Sequence, residues 1–353
     1  MDAAPRAEAP QPAPARRGRF WQTAVGVGIS AAFLYWSLRG VSPAAFLLEI
    51  RSANIWLFLT SATLATFTFP ARAARWRIIL GARTSAVRWT PVWHATAIGF
   101  MANNVLPARA GEIARAYAAS RLVGLPFAAS IGSVAVERVF DGLVVMLLLA
   151  FAMTTSHFAT PLVVHGRSVS VLASIVGGVF ILALMFLFVL VHTPQGGLTA
   201  MAVVVRRLLP SRIAGALLRI TKSFVDGLSV LRAPRDFFLV IVWSFVVWFI
   251  NAAAIYSGFL AFHVPALPIT SALLLQGIVA VGVAIPASPG FFGPFEYFSI
   301  VALGLYGVGP TTAAGFALGT HIGWYIPITA IGLWYLARSG LSLHDITAGE
   351  AAA

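Results

Sequence analysis

The sequence predicts an all-α polytopic membrane protein, with about six spanning helices and two broken or re-entrant helical hairpins. Three observations carry this prediction. Of 353 residues, 59% are hydrophobic and only 10% are charged, with a mean hydropathy of +0.88. A soluble domain is about 25% charged, so lipid must be the solvent for most of this surface. Apolar runs near the length a helix needs to cross a bilayer, about 20 residues, recur along the chain. Two further apolar runs are interrupted by asparagine, proline and glycine.

Residues 1–19 are rich in Ala, Pro and Arg with no apolar period, which reads as a disordered cytoplasmic tail. A cleaved signal peptide is the rival, because Arg16, Arg17 and Arg19 precede an apolar run. The run from Trp21 to Leu38 is long enough to span, which favours the tail. Spans are predicted at 21–39, 53–70, 126–151, 169–191, 236–261 and 311–337. The first interrupted stretch is 91–106, ending in Asn103-Asn104-Val105-Leu106-Pro107. The second is 269–308, broken by Pro286, Pro289, Gly290, Gly293 and Pro294. One transmembrane domain over 20–338 is thus expected, followed by a cytoplasmic tail at 339–353.

The net charge of +13 comes from 24 Lys and Arg against 11 Asp and Glu. Nucleic-acid binding is not the expectation, because the basic residues sit in short loops between apolar runs. Retention of Lys and Arg on the cytoplasmic side explains them better. Segment 71–90 carries Arg72, Arg75, Arg77, Arg83 and Arg88, and segment 198–235 carries Arg206, Arg207, Arg212, Arg219, Lys222, Arg232 and Arg235. Both are expected in the cytoplasm, the second as an amphipathic helix on the leaflet surface over 198–232. They reach the same side only if 91–121 dips in and returns. By the same logic 269–308 enters and leaves from the outer face, and both termini are cytoplasmic. Each half of the chain then reads span, span, broken hairpin, span, in opposite orientation. Pro107-Ala-Arg-Ala-Gly111 and Pro286-Ala-Ser-Pro-Gly290 share the pattern P-A-x-x-G. An inverted repeat with facing broken helices is a common transporter plan.

Cysteine is absent, the histidines are scattered, and no phosphate-binding, nucleophile-elbow or dinucleotide motif occurs. Neither a metal nor another cofactor is expected, and the chain is not expected to be an enzyme. The scarce acids in or beside apolar runs are Glu112, Glu137, Asp141 and Glu296. A charge at bilayer depth is costly and usually faces a cavity or a partner. Arg109, Glu112 and Arg115, at i, i+3 and i+6, share a helix face behind Asn103 and Asn104, which can satisfy backbone freed at Pro107. They read either as a polar cavity floor aimed at a phosphate or as a surface amphipathic helix. Glu137, Arg138 and Asp141 lie within one turn and leave a negative residue, which Arg109 or Arg115 would balance. They form either a functional site or an ion-pair lock between helices. Glu296 follows the second break, where half-helix ends would aim backbone dipoles inward. His94 and His321 read as packing histidines.

Asn103-Asn104-Val105-Leu106-Pro107-Ala108-Arg109-Ala110-Gly111-Glu112, then Arg115, resembles the signature of the lysylphosphatidylglycerol synthase transmembrane (flippase-like) family. The run Glu137 to Asp141 is similar to its second motif, and Pro286 to Gly290 with Gly293 and Glu296 to its third. Here Phe291-Phe292 and Pro294 make the third motif bulkier than the usual glycine-rich run. In aminoacyl-phosphatidylglycerol synthases this region translocates a lipid made by a separate cytosolic domain. The resemblance implies lipid handling without aminoacylation, since 353 residues leave no room for that domain. Stand-alone members are linked to hopanoid or polyprenyl-lipid export.

The expectation is therefore a translocase of the inner membrane, moving an anionic or modified lipid between leaflets. Arg109, Arg115, Arg138, Asn103 and Asn104 would bind the head group. Glu112, Glu137, Asp141 and Glu296 would balance charge or carry a proton. Pro107, Gly111, Pro286, Pro289, Gly290 and Gly293 would shape the gating hairpins. The rivals are a non-catalytic partner of a lipid-synthesis enzyme complex and a membrane enzyme acting on a lipid head group.

Overall fold

The computed structural model describes residues 16–81, 87–106, 110–156, 163–164, 167–168, 233–285 and 287–342, with isolated positions between 171 and 207. Their regular structure is helical apart from a two-residue strand pair, β1 (Val163–Val164) and β2 (Arg167–Ser168). The expected span at 169–191 and the connector at 198–232 lie largely outside the described residues, as do Pro107, Arg109 and Pro286.

Helix α1 (Arg16–Leu38) is followed, after an 86° bend, by the short α2 (Pro43–Ser52). Helix α3 (Ile55–Gly81) starts where the Asn54 side chain accepts the backbone N–H groups of Trp56 and Leu57, at 3.1 and 3.2 Å. It runs well past the expected span end at residue 70. Arg72 and Arg75, expected in a cytoplasmic loop, are instead buried in its second half. The physical reason is that both guanidiniums find carboxylate partners inside the bundle, so no loop is needed to hydrate them.

Helices α4 (Trp89–Val105) and α5 (Gly111–Val123) form a tight antiparallel hairpin. Asn103 Oδ1 accepts the Gly111 N–H at 3.0 Å across the break. A Cβ on Gly111 would collide with the Gly99 carbonyl and Asn103, and one on Gly99 with the Arg115 side chain. Only glycine permits this approach. Gly124, at φ 79°, ends α5, and α6 (Phe127–Thr155) follows.

Helix α7 (Pro234–Ala261) lies antiparallel along α3, with Ser61 Oγ donating to Ala254 O at 2.7 Å. Helices α8 (Ile269–Gly282) and α9 (Pro294–Gly304) flank the second break, which contains a single 3-10 turn at Pro289–Phe291. Gly290, Phe291 and Gly293 there have φ of 72°, 61° and 98°, a region that strains any side chain. Ser30 of α1 ties this break down, its hydroxyl accepting the Ser288 N–H at 2.8 Å. Helix α10 (Pro310–Arg338) closes the bundle.

The packing has a two-fold pattern. The α4–α5 hairpin leans on α10, where Asn104 Nδ2 donates to Thr329 Oγ1 at 2.7 Å. The α8–α9 hairpin leans on α6, where Gly277 sits against Leu149. Two buried apolar cores result, one around each hairpin. The first uses the start of α6 and α7 and the end of α3. The second uses the later halves of α6 and α7 and the start of α10. The hairpins therefore occupy opposite ends of the bundle. Among the described residues, α7 and α10 are long and apolar enough to cross a membrane, with α1 and α2 a third case if the bent pair is one span. Helices α3 and α6 have 27 and 29 residues and carry charges, α3 in its second half and α6 in its middle turns.

Candidate functional site: a buried charge cluster beside a cavity

Three helices bring seven charged side chains together. Helix α3 supplies Arg72 and Arg75, α5 supplies Glu112 and Arg115, and α6 supplies Glu137, Arg138 and Asp141. On α3 the arginines lie at i and i+3, and on α6 the acids lie at i and i+4. Each pair therefore shares a face, and the two faces meet. Asp141 accepts Arg72 Nη1 at 2.8 Å and Arg75 Nη1 at 2.7 Å through its two oxygens. Glu137 is gripped bidentately by Arg115, at 3.0 and 2.8 Å. Arg75 Nη2 also lies 3.0 Å from Glu137 Oε1, close enough to pair although not aligned as a hydrogen bond.

Apolar rings and a hydroxyl complete the enclosure. The Arg115 guanidinium stacks 3.8 Å over the Trp76 ring, and that of Arg72 sits 5.3 Å over Trp248. Arg75 Nη1 donates to Ser244 Oγ at 2.9 Å. Arg75 and Glu137 are fully buried.

Arg138 differs. Its side chain is 38% exposed, and that of Glu112, 3.7 Å away, is 37% exposed. Arg138 reaches back to Glu137 at 3.0 Å and Asp141 at 3.3 Å. It thus belongs to the cluster and also faces a cavity of about 390 Å³. Arg72, Glu112, Arg138 and Asp141 form one wall of that cavity, and α7, α8 and the second break form the other. Among the described residues, four arginines against three acids leave the cluster one positive charge in excess.

The other sequence-predicted residues divide. Asn103 spends its side-chain oxygen on the first hairpin, and Asn104 bonds Thr329, so both hold helices in place. Glu296 lies outside the cluster and is 2% exposed. It accepts the Gly293 N–H at 2.7 Å, closing the start of α9, and its other oxygen lies 2.6 Å from His321 Nδ1. The Phe295 ring stacks on His321 at 4.2 Å and lines the cavity, so this pair sits behind the cavity wall. By sign alone Arg72 and Arg75 read as loop residues. Their i, i+3 spacing among alanines, matching the acids of α6, was the signal that could have found them.

The sequence profile of the family described as Lysylphosphatidylglycerol synthase TM region matches residues 23–332. A curated relative, "Glycosyltransferase AglD" of Haloferax volcanii, is 27% identical over 305 residues, which cover 80% of this chain and 48% of that protein. The chain thus spans about half the length of that relative.

Proposed function

The chain belongs to the family of the lysylphosphatidylglycerol synthase TM region, and from that premise we propose that it is a lipid translocase of the inner membrane. The cavity receives the anionic head of a lipid, and the chains remain in the bilayer. The observation that carries this reading is Arg138, which is held by two buried carboxylates yet faces the cavity. A guanidinium oriented in this way is suited to a phosphate oxygen. The excess positive charge supports the same sign of ligand.

In this reading Glu137 and Asp141 are counter-ions rather than proton carriers, because each is enclosed by arginines. The head-group contacts fall to Arg138 and Arg72, with Arg115 stabilising Glu137 from behind. Six spans, two hairpins entering from opposite faces, cytoplasmic termini and an inverted repeat fit the paired packing of the two hairpins. Alternating exposure of the cavity past the two hairpins would move the head from one leaflet to the other.

A second reading, an enzyme acting on a lipid head group, draws on the name of the Haloferax relative. It would rely on Glu112, the cluster acid most open to the cavity, as general base. Proteoliposomes holding a fluorescent anionic phospholipid distinguish the two. Translocation measured by quenching from outside is expected for the wild type and to fall about tenfold or more in Arg138→Ala. Equal rates in wild type, Arg138→Ala and empty vesicles would sink the translocase. With a glycosyl donor supplied to the same vesicles, covalent change of the lipid that is lost in Glu112→Gln would establish the enzyme.

A further inference from the structure

The cavity wall opposite the arginines bears on the kind of head group, an inference that rests on the head-group reading above. Gln276 of α8 is 3% exposed and lines the cavity. Neither its amide nitrogen nor its amide oxygen has a hydrogen-bond partner among the described residues. The same holds for Trp248 Nε1 on α7, in the same wall. Asn251, one turn along α7 from Trp248, lines the cavity as well. A buried polar group without a partner costs about 1–3 kcal/mol, and hydrocarbon cannot supply one from outside. Orphaned groups on residues that line one cavity are what a polar ligand would satisfy.

The chemistry of the set narrows that ligand. An amide offers donors and an acceptor together, and the matching group that both gives and takes a hydrogen bond is a hydroxyl. Trp248 adds a further donor. Trp324 of α10 and Phe295 of α9 also line the cavity and provide apolar ring surface, against which the C–H bonds of a carbohydrate or polyol can pack. A cationic head finds less. Glu137 and Asp141 are enclosed by arginines, and Glu112 lies 3.7 Å from Arg138, so an ammonium would enter a region of excess positive charge.

We propose that this cavity takes a lipid whose phosphate carries a polyhydroxylated head, a sugar or a polyol. The phosphate lies on Arg138 and Arg72, and the hydroxyls lie on Gln276, Trp248 and Asn251.

The test uses the purified full chain and three short-chain probes: dihexanoyl phosphatidylinositol, phosphatidic acid and phosphatidylethanolamine. Calorimetric titration is expected to rank them in that order, with the inositol lipid about tenfold or more tighter than phosphatidic acid. Gln276→Leu and Trp248→Phe should each shrink that ratio severalfold. Trp248→Phe keeps a ring against Arg72 and removes the N–H together with the five-membered ring, so it carries the test if Gln276→Leu does not fold. Equal affinity for the inositol lipid and phosphatidic acid, a preference for the ethanolamine lipid, or an undiminished ratio in both variants would overturn the polyol inference while leaving the anionic-head reading standing. Binding of none of the three by protein that still unfolds cooperatively would overturn the head-group reading itself.

Discussion

At the scale of single residues, the cluster is a set of unequal dependencies. Glu137 neutralises Arg115 and contributes to Arg75, both buried, so Glu137→Gln would leave buried charge without its counter-ion. Breaking a buried pair in this way costs about 3–5 kcal/mol. Thermal unfolding in detergent is expected to fall by many degrees, and Asp141→Asn, which strips Arg72 and Arg75, should behave alike. Arg138→Ala removes a partly exposed side chain and should unfold close to the wild type while losing lipid. A large unfolding shift in Arg138→Ala, with lipid binding intact, would make the cluster a lock between helices.

At the scale of elements, the two breaks are built differently. The first depends on contact between backbones, so Gly99→Leu or Gly111→Val should prevent the hairpin from closing, with loss of folded protein on size-exclusion chromatography. The second depends on left-handed turns and a cap. A Cβ at Gly293 would collide with the Ser30 backbone at a φ of 98°, and Glu296→Gln would weaken the closure of α9. Gly293→Ala should therefore cost more stability than Glu296→Gln, which keeps an oxygen for the Gly293 N–H. The same thermal assay in detergent orders the two.

Much of this element plan was legible, because hydropathy and helix breakers act locally. The predicted spans at 126–151, 236–261 and 311–337 differ by a few residues from α6, α7 and α10. The breaks at 103–107 and 286–294 are marked in the sequence by asparagine, proline and glycine. What local reading missed was partnership. Arg72 and Arg75 look like loop residues until Glu137 and Asp141, more than 60 residues away, are set against them. Gln276 in an apolar helix gives no sign in sequence of what lies across from it.

At the scale of the whole molecule, the paired arrangement makes a topological demand. With an inverted repeat, the turn before α4 and the start of α7 face one compartment, whereas the turn before α8 faces the other. The chain has no cysteine, so single cysteines at Arg88, Arg235 and Leu267 can be labelled without clearing a background. Labelling by an impermeant maleimide in intact spheroplasts is expected at 267 and not at 88 or 235. Labelling at 88 and 267 together would remove the inverted plan.

The unmatched positive charge of the cluster also bears on how such a carrier would turn over. If the site took a monoanionic phosphate its charge would be balanced, and its change of exposure would meet little electrostatic opposition. Empty, it bears a charge that the membrane voltage acts on, at about 2.3 kcal/mol per charge for ~100 mV. In such a carrier an interior-negative voltage would favour the vacant site facing the cytoplasm. Exchange of one lipid for another should outpace net delivery, and collapsing the voltage should narrow the gap between them.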